Sequence, residues 1–163
     1  MLSLVEKVLI LKSANLFSET PDNVLADIAG LAEEQLMDPG QIIFNKGDAG
    51  DSLYVIVSGS VDVLDGDRRL NSLGEGDIFG ELALLDPEPR LATVVATEYA
   101  HLLRLDEFSF QIILAERPEV SAAIIRVITR YLRSLLRHAG DFDPNLPPRE
   151  PRGPAGEAST AGA

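Results

Sequence analysis

Residues 77–95 read Asp77-Ile78-Phe79-Gly80-Glu81-Leu82-Ala83-Leu84-Leu85-Asp86-Pro87-Glu88-Pro89-Arg90-Leu91-Ala92-Thr93-Val94-Val95, and the rest of the chain is organised around them. Gly74-Glu75-Gly76 precedes the stretch as a turn. Phe79-Gly80-Glu81 then opens an apolar run over 82–85, enough for about one helical turn before Pro87 stops it. Pro89 fixes the approach to Arg90, and 91–96, rich in Val and Thr, reads as a buried strand.

The chemistry follows from that layout. A helical turn leaves its first N–H groups unpaired, and anions settle there. Gly80 has no Cβ, so a ligand can come close to the main chain. Arg90 presents a planar fork of donors that matches two phosphate oxygens at once. Glu81 only accepts hydrogen bonds, which suits a sugar hydroxyl and not a phosphate. The stretch therefore asks for a sugar phosphate. A plainer reading stays open beside this one: Arg90 and Glu81 pair with each other and seal a loop of a structural β-roll.

Upstream, turn signals recur at Pro39-Gly40, Gly47-Asp48-Ala49-Gly50-Asp51, Ser58-Gly59-Ser60 and Asp65-Gly66-Asp67. Between them lie the short apolar runs 42–44 and 53–57 and the alternating 61–64, and 99–105 reads as a closing strand. Short strands at this spacing predict an all-β sandwich or barrel. Helices flank it. Residues 3–12 carry Leu4, Val5, Val8, Leu9 and Leu11, and a second helix over 21–33 is predicted with Thr20 as N-cap and Pro21 at its first position. Asp106 is placed to cap a helix through Glu116, and Pro118 to open a long one to about Ala139.

That long helix has an apolar arc of about half a turn, wider than one packing contact needs. It predicts two contacts, one on the β-roll and one elsewhere, with Ile124, Ile128, Tyr131 and Leu135 as a short coiled-coil stripe. Arg126, Arg130, Arg133 and Arg137 form a solvated opposite face. Beyond Gly140, Pro, Gly, Ala and charged residues predict a disordered tail over 141–163. The fold class is thus mainly β with flanking helices (α+β), an antiparallel β-roll or jelly roll in one domain over 1–140.

Gly80-Glu81-Leu82-Ala83-Leu84-Leu85, then Pro89-Arg90, then Ala92-Thr93-Val94, resembles the phosphate-binding cassette of the cyclic nucleotide-binding domain family. The resemblance spans about residues 3–138, and the turns stand in the same order relative to the cassette. It implies a ligand site at Phe79, Gly80, Glu81, Leu82, Ala83, Arg90, Leu91 and Ala92. Arg90 would hold the cyclic phosphate and Glu81 the ribose 2′-hydroxyl, with backbone amides around Gly80 and at Ala92 completing the cradle. Tyr131 is the aromatic on the long helix that could stack on a base. Leu91 departs from the family pattern of Ala, Ser or Thr. A leucine cannot hydrogen-bond a guanine, so cAMP is the expected ligand and cGMP the poorer fit. In the family the long helix serves as a mobile lid and, in some members, a dimer seam, which implies a homodimer or protein partner through 118–139. A ligand-free scaffold for protein interaction is the alternative.

Composition excludes other classes. The net charge of −12 argues against nucleic acid, which needs clustered positive charge. The same charge isolates Arg90, the sole Lys or Arg between Asn71 and Leu103, among Glu75, Asp77, Glu81, Asp86, Glu88 and Glu98. No apolar run is long enough to cross a membrane, no secretory leader is legible, and there is no cysteine, so a cytoplasmic location is expected. His101 and His138 are too few for a metal-dependent jelly-roll enzyme, and no nucleophile setting is present, so neither catalysis nor a metal is expected.

Overall fold

The computed structural model describes residues 1–81 and 88–139. Helix α1 (Leu4–Ser13) starts in a capping box, Ser3 accepting from the Glu6 amide while the Glu6 carboxylate accepts from the Ser3 amide. A 3₁₀ turn (Asn15–Phe17) leads to α2 (Asp22–Leu31). Eight strands follow: β1 (Glu33–Met37), β2 (Ile42–Phe44), β3 (Ser52–Ser58), β4 (Val61–Asp65), β5 (Arg68–Leu73), β6 (Ile78–Phe79), β7 (Thr93–Ala96) and β8 (Ala100–Asp106). Helices α3 (Glu107–Glu116) and α4 (Pro118–Ala139) complete the described chain.

The strands form two antiparallel four-stranded sheets, in the orders β1-β8-β3-β6 and β2-β7-β4-β5. The central strands of the first sheet, β3 and β8, contribute buried residues to both faces. Leu53 and Val55 of β3 and Leu103 and Leu105 of β8 pack under the helices with Phe17, Leu25, Ile28 and Phe110. Their neighbours Tyr54, Ile56 and Leu102 point the other way, into the space between the sheets, beside Val61, Phe79 and Val94. This explains why 53–57 is uniformly apolar where a half-exposed strand would alternate. The turn before β4 needs glycine: Gly59 has φ +87°, and a Cβ there would lie 2.3 Å from the Tyr99 carbonyl oxygen.

Two expectations change. The N-cap of α2 is Pro21, not Thr20, whose hydroxyl is buried without a partner. The backbone at Pro21 is extended (ψ 148°), which places it just outside the helix. On α4, Ile124 is buried with Val120, Ala123 and Val127, so it cannot belong to an outward stripe. That inner face packs chiefly on the 3₁₀ turn and α3, and its Val120 and Ile124 share one buried cluster with Leu53, Val55, Leu103 and Leu105 of the roll. Ile125, Ile128, Tyr131, Leu132, Leu135 and Leu136 are exposed. The helical turn expected at 82–85 and the tail expected from 141 lie outside the described residues.

Candidate binding site

Two segments that are distant in sequence run side by side and hold Arg90 by its backbone. The Arg90 amide donates to the Asp48 carbonyl at 2.8 Å, and the Gly47 amide donates to the Arg90 carbonyl at 2.8 Å. Pro89 bridges Ala49, and the Lys46 amide donates to the Thr93 hydroxyl at 2.9 Å. One step on, β2 pairs with β7, bringing Phe44 opposite Val94. On the other side, β6 pairs with β3, placing Phe79 opposite Tyr54. Gly80 follows with φ +78°, a conformation that glycine adopts at little cost and residues with a Cβ do not.

The Arg90 side chain turns inward and is 7% exposed. Nη2 donates to the Ser52 carbonyl at 2.7 Å and Nη1 to the Gly80 carbonyl at 3.3 Å. Cζ lies 4.0 Å from the centroid of the Phe44 ring. Nε is buried without a hydrogen-bond partner. Burial pulls the guanidinium below its ordinary pKa, opposed by its neighbours Tyr54, Asp51 and Asp48, yet the group stays charged. Among the described residues Arg90 makes no ion pair, with Glu81 or any other acid. The closed Arg90–Glu81 pair is therefore not the arrangement found. A buried cation without a carboxylate and with an orphan donor is costly unless an anion joins it.

Arg90 lines a cavity of about 820 Å³, walled by Phe44, Val63, Phe79, Leu91 and Val94, with Gly80, Glu81 and Ala92 at its edge. Its size and apolar lining suit a small organic ligand held by few polar groups. Of the residues singled out from sequence, Phe79, Gly80, Glu81, Arg90, Leu91 and Ala92 line it together. Leu82 and Ala83 lie outside the described residues. Tyr131 is not among the lining residues and is 64% exposed on α4. Phe44, Lys46, Gly47, Val63 and Val94 are brought in by strand pairing and were not anticipated. Lys46 is a second cation at the cavity wall, its ammonium held 2.8 Å from Asp65.

No group of three or more potential metal ligands occurs among the described residues, and His101 Nε2 lies 2.9 Å from the Glu34 carboxylate. No helix among them is long and apolar enough to cross a membrane.

A model of the cyclic nucleotide-binding domain matches residues 34–117. The CRP-like cAMP-activated global transcriptional regulator of Mycobacterium tuberculosis is 30% identical over 138 residues, 82% of this chain and 62% of the regulator. The cAMP-dependent protein kinase regulatory subunit of Yarrowia lipolytica is 38% identical over 101 residues, 62% of this chain and 27% of the subunit. The chain thus spans about three fifths of the first relative and about a quarter of the second. The N-terminal domain of a transcriptional regulator from Streptomyces coelicolor A3(2) superposes with a TM-score of 0.73 at 32% identity, covering 84% of this chain and 99% of that one. The regulatory domain of Toxoplasma gondii PKA, crystallised with cAMP, superposes with a TM-score of 0.63 at 31% identity, covering 68% of this chain and 44% of that one.

Proposed function

We propose a function from the premise that the chain belongs to the cyclic nucleotide-binding domain family: it is a regulatory, non-catalytic module that binds cAMP and relays occupancy through α4. The observation that carries this reading is Arg90, buried at the cavity wall, charged, unpaired with any described acid and left with an orphan Nε–H. A cyclic phosphate supplies the missing anionic acceptor, and the Glu81 carboxylate accepts from a sugar hydroxyl. Phe44, Val63, Phe79, Leu91 and Val94 give the nucleoside an apolar wall. Leu91, 75% exposed at that wall, adds apolar surface and no hydrogen bond, which favours adenine over guanine.

Titration calorimetry of the full chain with cAMP and cGMP tests the reading. Wild type should prefer cAMP, and Arg90→Ala should weaken it by a hundredfold or more, about 3 kcal/mol, as expected when a charged hydrogen-bond donor is removed from a buried anion. Unmeasurable heat and no thermal shift at millimolar nucleotide would sink it.

A second reading, a scaffold that works through its helices, is favoured by the exposed apolar faces of α1 (Leu4, Val5, Leu9) and α4. The two readings meet if α4 is the face through which a ligand-bound domain pairs with a second copy of itself.

A further inference from the structure

We infer that Phe44 is a positioning residue for ligand binding, its ring holding the Arg90 guanidinium face-on at the cavity wall before any ligand arrives. The inference rests on Arg90 being the phosphate contact.

The geometry divides the work between edge and face. Carbonyls of Ser52 and Gly80 engage two donors along the guanidinium edge. They hold two of its donors, while Cζ sits over the face of the Phe44 ring, 4.0 Å from the centroid. A cation over an aromatic face is attracted more strongly where water is excluded, and Arg90 is almost wholly excluded from it. Phe44 is itself immobilised. Its backbone pairs with β7 opposite Val94, and its ring lies 6.1 Å from Tyr54 and 5.9 Å from Phe79. Those two rings stack at 5.0 Å with an interplanar angle of 11°. Orientation thus passes from the paired strands β3 and β6 through three rings to one guanidinium.

The choice of a ring has a chemical consequence. A carboxylate in this place would satisfy the buried cation but would also neutralise it and repel an arriving phosphate. The ring's quadrupole and the two neutral carbonyls stabilise the cation without spending its charge. Arg90 is therefore both pre-aimed and still a cation free to attract an anion, and preorganisation of this kind raises affinity by removing an ordering cost at binding.

Phe44→Leu keeps an apolar side chain and removes the π face. It should weaken cAMP binding about tenfold, the scale of a desolvated cation–π contact. Phe44→Tyr, which keeps the face, should bind within about twofold of wild type. Loss of ring volume alone would also weaken Phe44→Leu, so the guanidinium is read directly as well. In the free protein, the Arg90 Nε–Hε resonance, identified by its loss in Arg90→Ala, should move when the ring is removed in Phe44→Leu and stay near its wild-type position in Phe44→Tyr. Wild-type affinity in folded Phe44→Leu, an equal loss in Phe44→Tyr, or an unmoved Arg90 resonance overturns the inference while leaving Arg90 as the phosphate contact. Failure of wild type to bind any cyclic nucleotide, or undiminished binding by Arg90→Ala, overturns the functional reading and the inference with it.

Discussion

A Cβ built on Gly80 would lie 2.7 Å from Nη1 of Arg90 and 2.8 Å from the Ser52 carbonyl oxygen, on a backbone with φ +78°. Gly80→Ala therefore has two costs that different measurements separate. Left-handed backbone strain lowers stability by about 1–2 kcal/mol, read in urea unfolding. Displacement of the guanidinium lowers cAMP affinity by tenfold or more, read by calorimetry on the folded variant. Gly74→Ala is the control, since nothing lies within 4 Å of a Cβ there, and it should change neither quantity. Retained affinity in Gly80→Ala would mean that the guanidinium is not held where the geometry puts it. Gly80, Glu81 and Arg90 were legible in the sequence because one local stretch carries all three. The holders of Arg90 were not. Two are main-chain carbonyls, which carry no side-chain signature, and Phe44 reaches the site only through pairing with β7.

Asp106 ends β8 and caps α3, accepting from the Ser109 amide at 2.8 Å and from the Ser109 hydroxyl at 2.8 Å. The amide bond, first of these causes, holds its carboxyl below the ordinary aspartate value against the opposing effect of burial. A depressed folded-state pKa means stability that is present above the unfolded value, about 3.9, and lost as pH falls through the folded one. Asp106→Ala should therefore cost about 1 kcal/mol at neutral pH. That difference from wild type should shrink on acidification below about pH 4, while Asp106→Asn, an equally good cap, should lose much less. Chemical denaturation of the three proteins at pH 7 and pH 3 checks it, and a pH-independent gap would assign the loss to something other than the carboxylate. This cap was legible because an aspartate preceded a helical pattern directly. Thr20 misled because Thr-Pro fits a cap one residue early, whereas Pro21 itself takes the cap position. Strand β5 left no signal: Arg68 to Ser72 are all exposed, so no apolar alternation marks an edge strand held only by β4.

The molecule stacks a helical layer on a two-sheet roll, and strands β3 and β8 are apolar on both faces because they serve both cores. Among the described residues α4 leaves an apolar surface uncovered, as α1 does at Leu4, Val5 and Leu9. From Arg130 to Arg137 every side chain of α4 is exposed. The width of the helix's apolar arc was legible, but its division was not, because periodicity cannot say which edge of the arc meets the core. With Ile124 buried, the outward residues Ile125, Ile128, Leu132 and Leu135 are spaced three, four and three apart, the step of a coiled-coil seam. Flanking that seam are Tyr131, Thr129 and Leu136, all uncharged, whereas Arg126, Arg130, Arg133 and Arg137 occupy outer positions. Arg130 is already engaged by Glu19 of the same chain. A second copy can thus approach along the seam without bringing arginines together, and two heptads make that association weak and concentration-dependent. Sedimentation equilibrium across micromolar concentrations should show reversible dimer formation. Leu132→Glu should abolish it without lowering the melting temperature at concentrations where the wild type is a monomer, because the side chain is already 55% exposed in the single copy. Arg133→Ala, on the outer side, should leave it intact. If cAMP acts through α4, saturating nucleotide should shift the dimer constant of wild type, and by linkage dimerisation must shift nucleotide affinity by the same factor. A wild-type monomer at all concentrations, with and without nucleotide, would reassign the seam to a different partner.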